Sequence, residues 1–431
     1  MREKEVAGEL LSYIKKSTSP YHAVLEGITM LEEAGFTELD FRKSFGLQPG
    51  GKYYTKPFGT TLFAFTIGNQ VSSSQQFRLA SAHTDHPCLH VKPTAELTSK
   101  GYLRVNTEIY GGPILNTWLD RPLSVAGRVA LKSENPFAPN TKVINVDKPF
   151  LTIPNLAIHM NKEVNKGVEL MKQTDMLPLM GVLNETLNEK SYFIEFLAKE
   201  LQVKVSDILD FDLYVYCAED GLLLGMNEEF IQSPRLDNLT SCHALLRGII
   251  DGNREDGINI IGLFDNEEIG SETKQGADSA LFSMFLEKIY QALGYDRAAL
   301  NDSILSSFLI SMDVAHALHP SKTEKYDPVN YALMNDGVVF KISGNQRYTF
   351  DTEAIASMVM LCDKYNIPYK KFVNHSDVIG GGTMGPIISS WLPMKTVDIG
   401  IPMLAMHSAR ELMGTKDQMA LVDLATAFFT E

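Results

Sequence analysis

The sequence predicts an α/β fold: a mainly parallel mixed sheet covered by helices, with a β-rich domain inserted into the host chain. Two observations carry this. From Ser233 onward, helical and strand patterns alternate, the rhythm of a parallel sheet with helices on both faces. Between about Lys92 and Gln232 that rhythm gives way to short alternating stretches punctuated by Gly and Pro, the texture of antiparallel strands. The host is therefore expected over residues 1–92 and 233–431, and the insert over 93–232. A chain of 431 residues is too long for one simple core and has room for both.

Taken in order, residues 1–35 read as helical, with Val6, Leu10, Leu11 and Ile14 on one face and Ser17-Thr18-Ser19-Pro20 breaking one helix from the next. Residues 52–67 are strand-rich. Residues 76–82 form a short strand that delivers Ser81-Ala82-His83-Thr84-Asp85-His86-Pro87. In the insert, residues 94–105 and 123–132 alternate like antiparallel strands, 191–201 make an amphipathic helix, and 213–217 a further strand. Beyond it, residues 236–250 place Leu239, Cys242, Leu246 and Ile249 on one helical stripe. Ile258 to Phe264 is a buried strand, residues 278–293 a helix, and Phe308 to Met312 another strand.

Composition narrows the function. Hydrophobic content of 44% and charged content of 21% describe an ordinary globular protein. A net charge of −14 argues against a nucleic-acid partner, which wants concentrated Lys and Arg. No apolar stretch approaches a membrane span. The opening Met1-Arg2-Glu3-Lys4-Glu5 carries acids and lacks a long apolar core, so no signal peptide is expected. Cys88, Cys217, Cys242 and Cys362 are dispersed, which fits reduced thiols in a cytoplasmic protein.

In sheets of this kind, function collects at the carboxyl ends of the strands. His83, Glu267, Glu268 and Asp313 each fall just past such an end. Glu267 and Glu268 are the most informative, because neighbours at a strand end point in different directions. One carboxylate can hold a metal while the other faces the water that the metal activates. An acidic cluster in solvent is the plainer reading of the pair taken alone. His83 precedes Asp85 by two positions, so a carboxylate is within reach of its ring; taken alone, a core histidine is its plainer reading. Asp237 opens the first long helix after the insert, either as a bridging ligand or as an acid complementing the helix dipole. Asp313 closes a buried strand, a costly place for a charge unless it is paired or liganded. His316 and His319 follow it as substrate-side or local capping residues. His407 ends an apolar segment beside a charged pair. Gly380-Gly381-Gly382-Thr383-Met384-Gly385 fits G-x-G-x-x-G, but its polar lead-in is not the strand a dinucleotide site needs. A glycine-rich loop around Gly382 that lets backbone approach a small substrate suits it better.

Together these segments resemble the aspartyl aminopeptidase family of di-zinc exopeptidases. The resemblance runs from Ser19-Pro20-Tyr21-His22-Ala23-Val24 to Met406-His407-Ser408. It includes Ala82-His83-Thr84-Asp85, Asp120-Arg121-Pro122-Leu123-Ser124, Ala157-Ile158-His159, Arg235-Leu236-Asp237-Asn238, Glu267-Glu268-Ile269-Gly270-Ser271 and Lys274-Gln275-Gly276-Ala277-Asp278. It implies a zinc-exopeptidase-like host with two Zn²⁺ bridged by Asp237, His83 and Asp313 completing one site and Glu268 and His407 the other. Mn²⁺ or Co²⁺ would substitute at one of them. It also implies Glu267 as general base and Asp85 as the carboxylate that orients His83. The insert would serve dimerisation and assembly into a tetrahedral dodecamer, with His159 reaching a neighbouring subunit's site. Small peptides with N-terminal Asp or Glu would be the substrates, and Lys341, with Arg347 close behind, the cation for the acidic side chain. Asn266, Ser321, His86, Gly380 and Gly382 depart from the family pattern, and these departures bear on acidic specificity and leave the ligands intact. The competing readings are a related acylase or carboxypeptidase and a catalytically silent assembly or cargo-binding protein; the second would have lost a ligand or the base.

Overall fold

The computed structural model describes residues 2–70, 72, 76–183 and 190–431. The chain forms two compact units. The first takes the residues up to Asp85, Gly221–Met406 and Glu411–Glu431; the second takes His86–Asp220 and His407–Arg410.

The first unit is built on a nine-stranded mixed sheet. Its strands run in the order Thr37–Glu38, Lys52–Thr55, Leu62–Ile67, Ile258–Phe264, Phe77–His83, Phe308–Met312, Lys395–Gly400, Val338–Ile342 and Tyr369–Val373. The central four, from Ile258–Phe264 to Lys395–Gly400, are mutually parallel. Alternation explains how this sheet is covered on both faces. Ala80, Ala82, Ile261, Leu263, Ile310 and Met312 pack with the helices Arg2–Lys16, Pro20–Glu33, Leu236–Asp251 and Thr415–Phe428. Leu79, Ile260, Phe264 and Leu309 face the other way, onto Leu281–Ala292, Arg297–Ser306 and Met384–Trp391. The expected stripe of Leu239, Cys242, Leu246 and Ile249 is fully buried on the first of these faces.

The second unit carries a six-stranded antiparallel sheet, in the order Asn140–Asn145, Leu123–Leu131, Ile208–Cys217, Cys88–Ser99, Tyr102–Tyr110 and Leu179–Val182. Residues 94–105 are not one strand. Lys100 and Gly101 both take positive φ (51° and 87°), the conformation of a tight hairpin turn, and the chain doubles back there. Cys88–Ser99 belongs to this sheet from its first residue, so the unit starts ahead of residue 93. Leu222–Leu224 and Phe230–Ser233 pair instead within a small sheet containing Glu411–Gly414, so the first unit resumes at Gly221, ahead of residue 233.

All four cysteines are buried free thiols. Among the described residues no helix is long and apolar enough to cross a membrane.

Two buried histidines give the first unit an acid-sensitive side. Burial, with Arg247 nearby, pushes His243 down to about 3, and burial beside Arg235 pushes His22 down to about 4. The unfolded chain binds a proton at each below about pH 6.5, and the folded chain does not. Their contribution is thus present in full above that pH and falls away as pH drops toward 3. Gln418 Nε2 lies 3.2 Å from His243 Nδ1, so His243→Asn keeps an acceptor for it. The variant should lose stability less steeply between pH 6.5 and 4, by up to about 1 kcal/mol per pH unit. Urea midpoints at pH 7, 6 and 5, compared with the parent, check this.

Candidate metal centre

The parallel register brings the ends of three strands level. Phe264 pairs with His83, and Ser311 with Ser81, so the strand ends deliver His83, the turn after Phe264, and Asp313 together. His83 is 1% exposed. Its Nδ1 lies 3.0 Å from the Asp85 carbonyl oxygen and 3.4 Å from Asp85 Oδ1. Both are acceptors, so Nδ1 carries a hydrogen, and Nε2 is the nitrogen that could serve a metal ion. That nitrogen looks at three carboxylates: Asp237 Oδ1 at 3.4 Å, Asp313 Oδ1 at 3.7 Å and Glu267 Oε2 at 4.0 Å.

Each of these acids is placed by a local device. After Phe264 the chain turns sharply, with Asn266 at φ 65°, into a 3₁₀ turn Glu267–Ile269. The Asp85 carboxylate holds that turn from below, accepting the Glu267 N–H on one oxygen and the Glu268 N–H on the other, both at 3.1 Å. Asp237 has extended dihedrals (φ −79°, ψ 109°), so it stands ahead of the regular helix. It is 3% exposed, and its N–H donates to Glu411 Oε2 at 3.0 Å. Asn238 Nδ2 donates to the Met312 carbonyl at 2.9 Å, tying this segment to the Asp313 strand. The Cys242 thiol, one helical turn on, donates to the His83 carbonyl oxygen at 3.0 Å.

Crowding shows in the titration. Burial drives Glu267 up to about 8, with repulsion from Asp313, Asp85 and Asp237 adding to it and His83 offsetting part. Burial also opposes charge on Asp313, but Lys341 and His83 win and hold its carboxyl below the usual range. For His83, burial is outweighed by hydrogen bonds to Asp237, Asp313 and Asp85, which hold the ring well above its ordinary value. The site therefore asks for positive charge. One atom each from His83, Asp237 and Asp313 lie within 4.8 Å of one another, as do atoms of His83, Glu267 and Glu268. Imidazole nitrogen and carboxylate oxygen are the donor set zinc takes, and the residues fit that metal.

A family model described as Aminopeptidase I zinc metalloprotease (M18) matches residues 13–429. The chain belongs to this family. The M18 chain is 46% identical over 412 residues to a probable M18 family aminopeptidase 2 of Clostridium novyi (strain NT), covering 95% of each. Its fold is similar to a chain in the cryo-EM structure of the Ape4 and Nbr1 complex, with a TM-score of 0.94 and 34% identity, over 99% of this chain and 86% of that one. It is also similar to the S. cerevisiae mApe1 dodecamer structure, with a TM-score of 0.86 and 26% identity, over 100% and 97%.

The remaining predicted residues lie as follows. His407, with φ 66°, belongs to the second unit's short segment, where its Nδ1 donates to the Gly112 carbonyl at 3.0 Å. His159 is exposed in a turn of the second unit. His319 Nδ1 accepts the Ser321 N–H at 3.1 Å, closing its own turn. Gly382 is exposed in the loop ahead of the helix Met384–Trp391. Arg347 is exposed, and Lys341 is 2% exposed against Asp313. Sequence reasoning missed Glu411 and the bracing of the acid pair by Asp85. Neither had a spacing signal, because each acts on main-chain atoms about 180 residues away.

Gly400 lies flat against the Asp313 main chain, where a Cβ would overlap the Asp313 carbonyl oxygen. Gly400→Ala should therefore displace Asp313, cost about 1–3 kcal/mol in stability, and lower bound zinc per chain. Thermal melting and metal analysis of the purified variant measure both.

Proposed function

We propose that this M18 chain is a di-zinc aminopeptidase that removes single N-terminal residues, with Asp and Glu preferred, from small peptides. The observation that carries the reading is His83 Nε2 facing Asp237, Asp313 and Glu267 at the ends of parallel strands, in a chain of the M18 zinc aminopeptidase family. Asp237 would bridge the two ions, with His83 and Asp313 on one and Glu268 and His407 on the other. The Nδ1 bond of His407 to a carbonyl leaves Nε2 as its donor atom. Mn²⁺ or Co²⁺ at one position is part of the same reading.

Bound zinc supplies Lewis-acid chemistry, acidifying water and polarising a carbonyl. Glu267 does the proton work. Its carboxylate takes a proton from the attacking water as the new C–O bond forms, and returns it to the leaving amine as the C–N bond breaks. Asp85 keeps Glu267 and His83 in fixed relation during that exchange. The crowding that drives Glu267 upward is relieved by divalent cations, which favours the ionised base.

Assembly into dimers and then a dodecamer belongs to the proposal. It is supported by the exposed large apolar side chains of Leu156, Ile158, Met160 and Met171 on the second unit, and by the dodecamer of the similar mApe1. His159 sits among these residues and would serve a neighbouring copy's site. Four buried free thiols support a cytoplasmic setting.

The test is a panel of Asp-, Glu-, Leu- and Lys-anilides, with and without chelator, and with the amino group acetylated. Cleavage should need metal and a free amino terminus, and should be fastest on the acidic anilides. Chelator-resistant cleavage, or none after Zn²⁺, Mn²⁺ or Co²⁺ reconstitution, sinks the proposal; cleavage that survives acetylation points to an acylase.

Glu267→Gln should retain metal yet lose at least roughly a hundredfold in kcat, the usual scale for a lost acid–base group. Glu268→Gln should lose metal. Metal analysis beside kinetics separates the two.

A further inference from the structure

We propose that the second unit has a task besides assembly: it sets the position of His407, with Thr117 and Arg410 as the positioning residues. The inference rests on the di-zinc reading above and adds to it what holds the histidine of the second ion.

The segment His407–Arg410 lies far along the chain from the insert, yet it packs as part of the second unit. Its backbone is not one that a histidine adopts readily: His407 has φ 66°, a region that costs energy for a residue with a Cβ. Such a conformation persists where the surroundings over-determine it. Here the surroundings are the loop after Tyr102–Tyr110 and the end of the insert. The Ile114 N–H donates to the His407 carbonyl at 2.9 Å, and His407 Nδ1 donates to the Gly112 carbonyl at 3.0 Å. The Thr117 hydroxyl bonds in both directions, donating to the Ile114 carbonyl at 2.6 Å and accepting the Ala409 N–H at 2.9 Å. Arg410 closes the segment. Its guanidinium donates to the Glu219 carbonyl at 3.3 Å and the Asp220 carbonyl at 3.0 Å, where the chain leaves the second unit.

Ring and backbone are thereby fixed separately. The Gly112 bond occupies Nδ1 and leaves Nε2 for a metal. The bonds from Ile114 and to Thr117 fix the main chain at His407 and just past it, which sets the direction of its Cα–Cβ bond. Packing alone would not do this, because His407 is only half-buried. Ala409 and Arg410 behind it are buried, and a buried guanidinium persists only where its donors are met. Arg410 meets them with main-chain carbonyls, so its side chain ties the segment to the second unit. Groups that orient a metal-binding histidine govern affinity: losing one costs about 10–100-fold. The unit that carries the exposed apolar residues thus also carries the aim of one proposed ligand.

The experiment titrates zinc into the metal-free full chain and measures zinc bound per chain, the melting temperature of the zinc-free form and the oligomeric state. Thr117→Val keeps the side-chain shape and removes the hydroxyl, Thr117→Ser keeps the hydroxyl, and Arg410→Met keeps the stem and removes the guanidinium. His407→Ala marks which ion depends on that histidine. Thr117→Val and Arg410→Met should each weaken that same ion by about 10–100-fold and leave the other ion and the oligomeric state as in the parent. Thr117→Ser should return the affinity of the parent. Thr117→Val that holds both ions as tightly as the parent, while His407→Ala loses one, overturns the inference. Equal weakening of both ions, with a lower melting temperature, assigns Thr117 to general stability and overturns it too. If Arg410→Met does not accumulate folded, Thr117→Val and its serine rescue decide alone. A parent that takes up fewer than two zinc ions per chain, or a His407→Ala that keeps both, overturns the di-zinc reading and the inference with it.

Discussion

Several carboxylates gathered around one buried imidazole repel each other, and in a low-dielectric setting that repulsion is severe. Much of the first unit can be understood as the means of holding them there. The parallel register brings the ends of the His83, Phe264 and Met312 strands level. Main-chain donors from the Glu267–Ile269 turn satisfy Asp85, and the Asp237 N–H satisfies Glu411. The apolar layers on both faces of the sheet keep those ends from spreading. Without that framework the acids would separate into solvent, where each is better hydrated.

Much of this was legible in the sequence, for physical reasons. The apolar runs Ile258–Phe264 and Phe308–Met312 and the stripe at Leu239, Cys242, Leu246 and Ile249 report burial directly, because a strand covered on both faces is apolar throughout and helical side-chain direction follows backbone period. The acids past those strands were legible because charge at the end of an apolar run is costly unless it has work to do. Other features were not. The hairpin at Lys100-Gly101 hid inside a continuous alternation, since a two-residue turn barely interrupts the pattern. The small sheet joining Leu222–Leu224 to Glu411–Gly414 pairs segments far apart in the chain, and no local signal reports such pairing. The extended backbone of Asp237 read as the first turn of a helix, because the residues after it are helical.

The acid pair illustrates the limit most sharply. Its position past a strand suggests two carboxylates with different directions. Only the structure shows what sets those directions: the two oxygens of Asp85, each on one N–H of the turn. An isosteric amide at Asp85 would offer one acceptor where two are used.

That brace also has a consequence in time. Asp85 and Glu267 are 182 residues apart. At ribosomal rates of about 5–20 residues per second, roughly ten to forty seconds separate their synthesis. During that interval the nascent chain holds His83 and Asp85 with no acid pair to brace, so the carboxylate cluster cannot yet exist. Assembly of the centre is thus tied to completion of the parallel sheet, a non-local and intrinsically slow event. A fragment ending before the Glu267 turn would lack the acid pair and Asp313 alike, so the carboxylate cluster forms only once both later strands have been made.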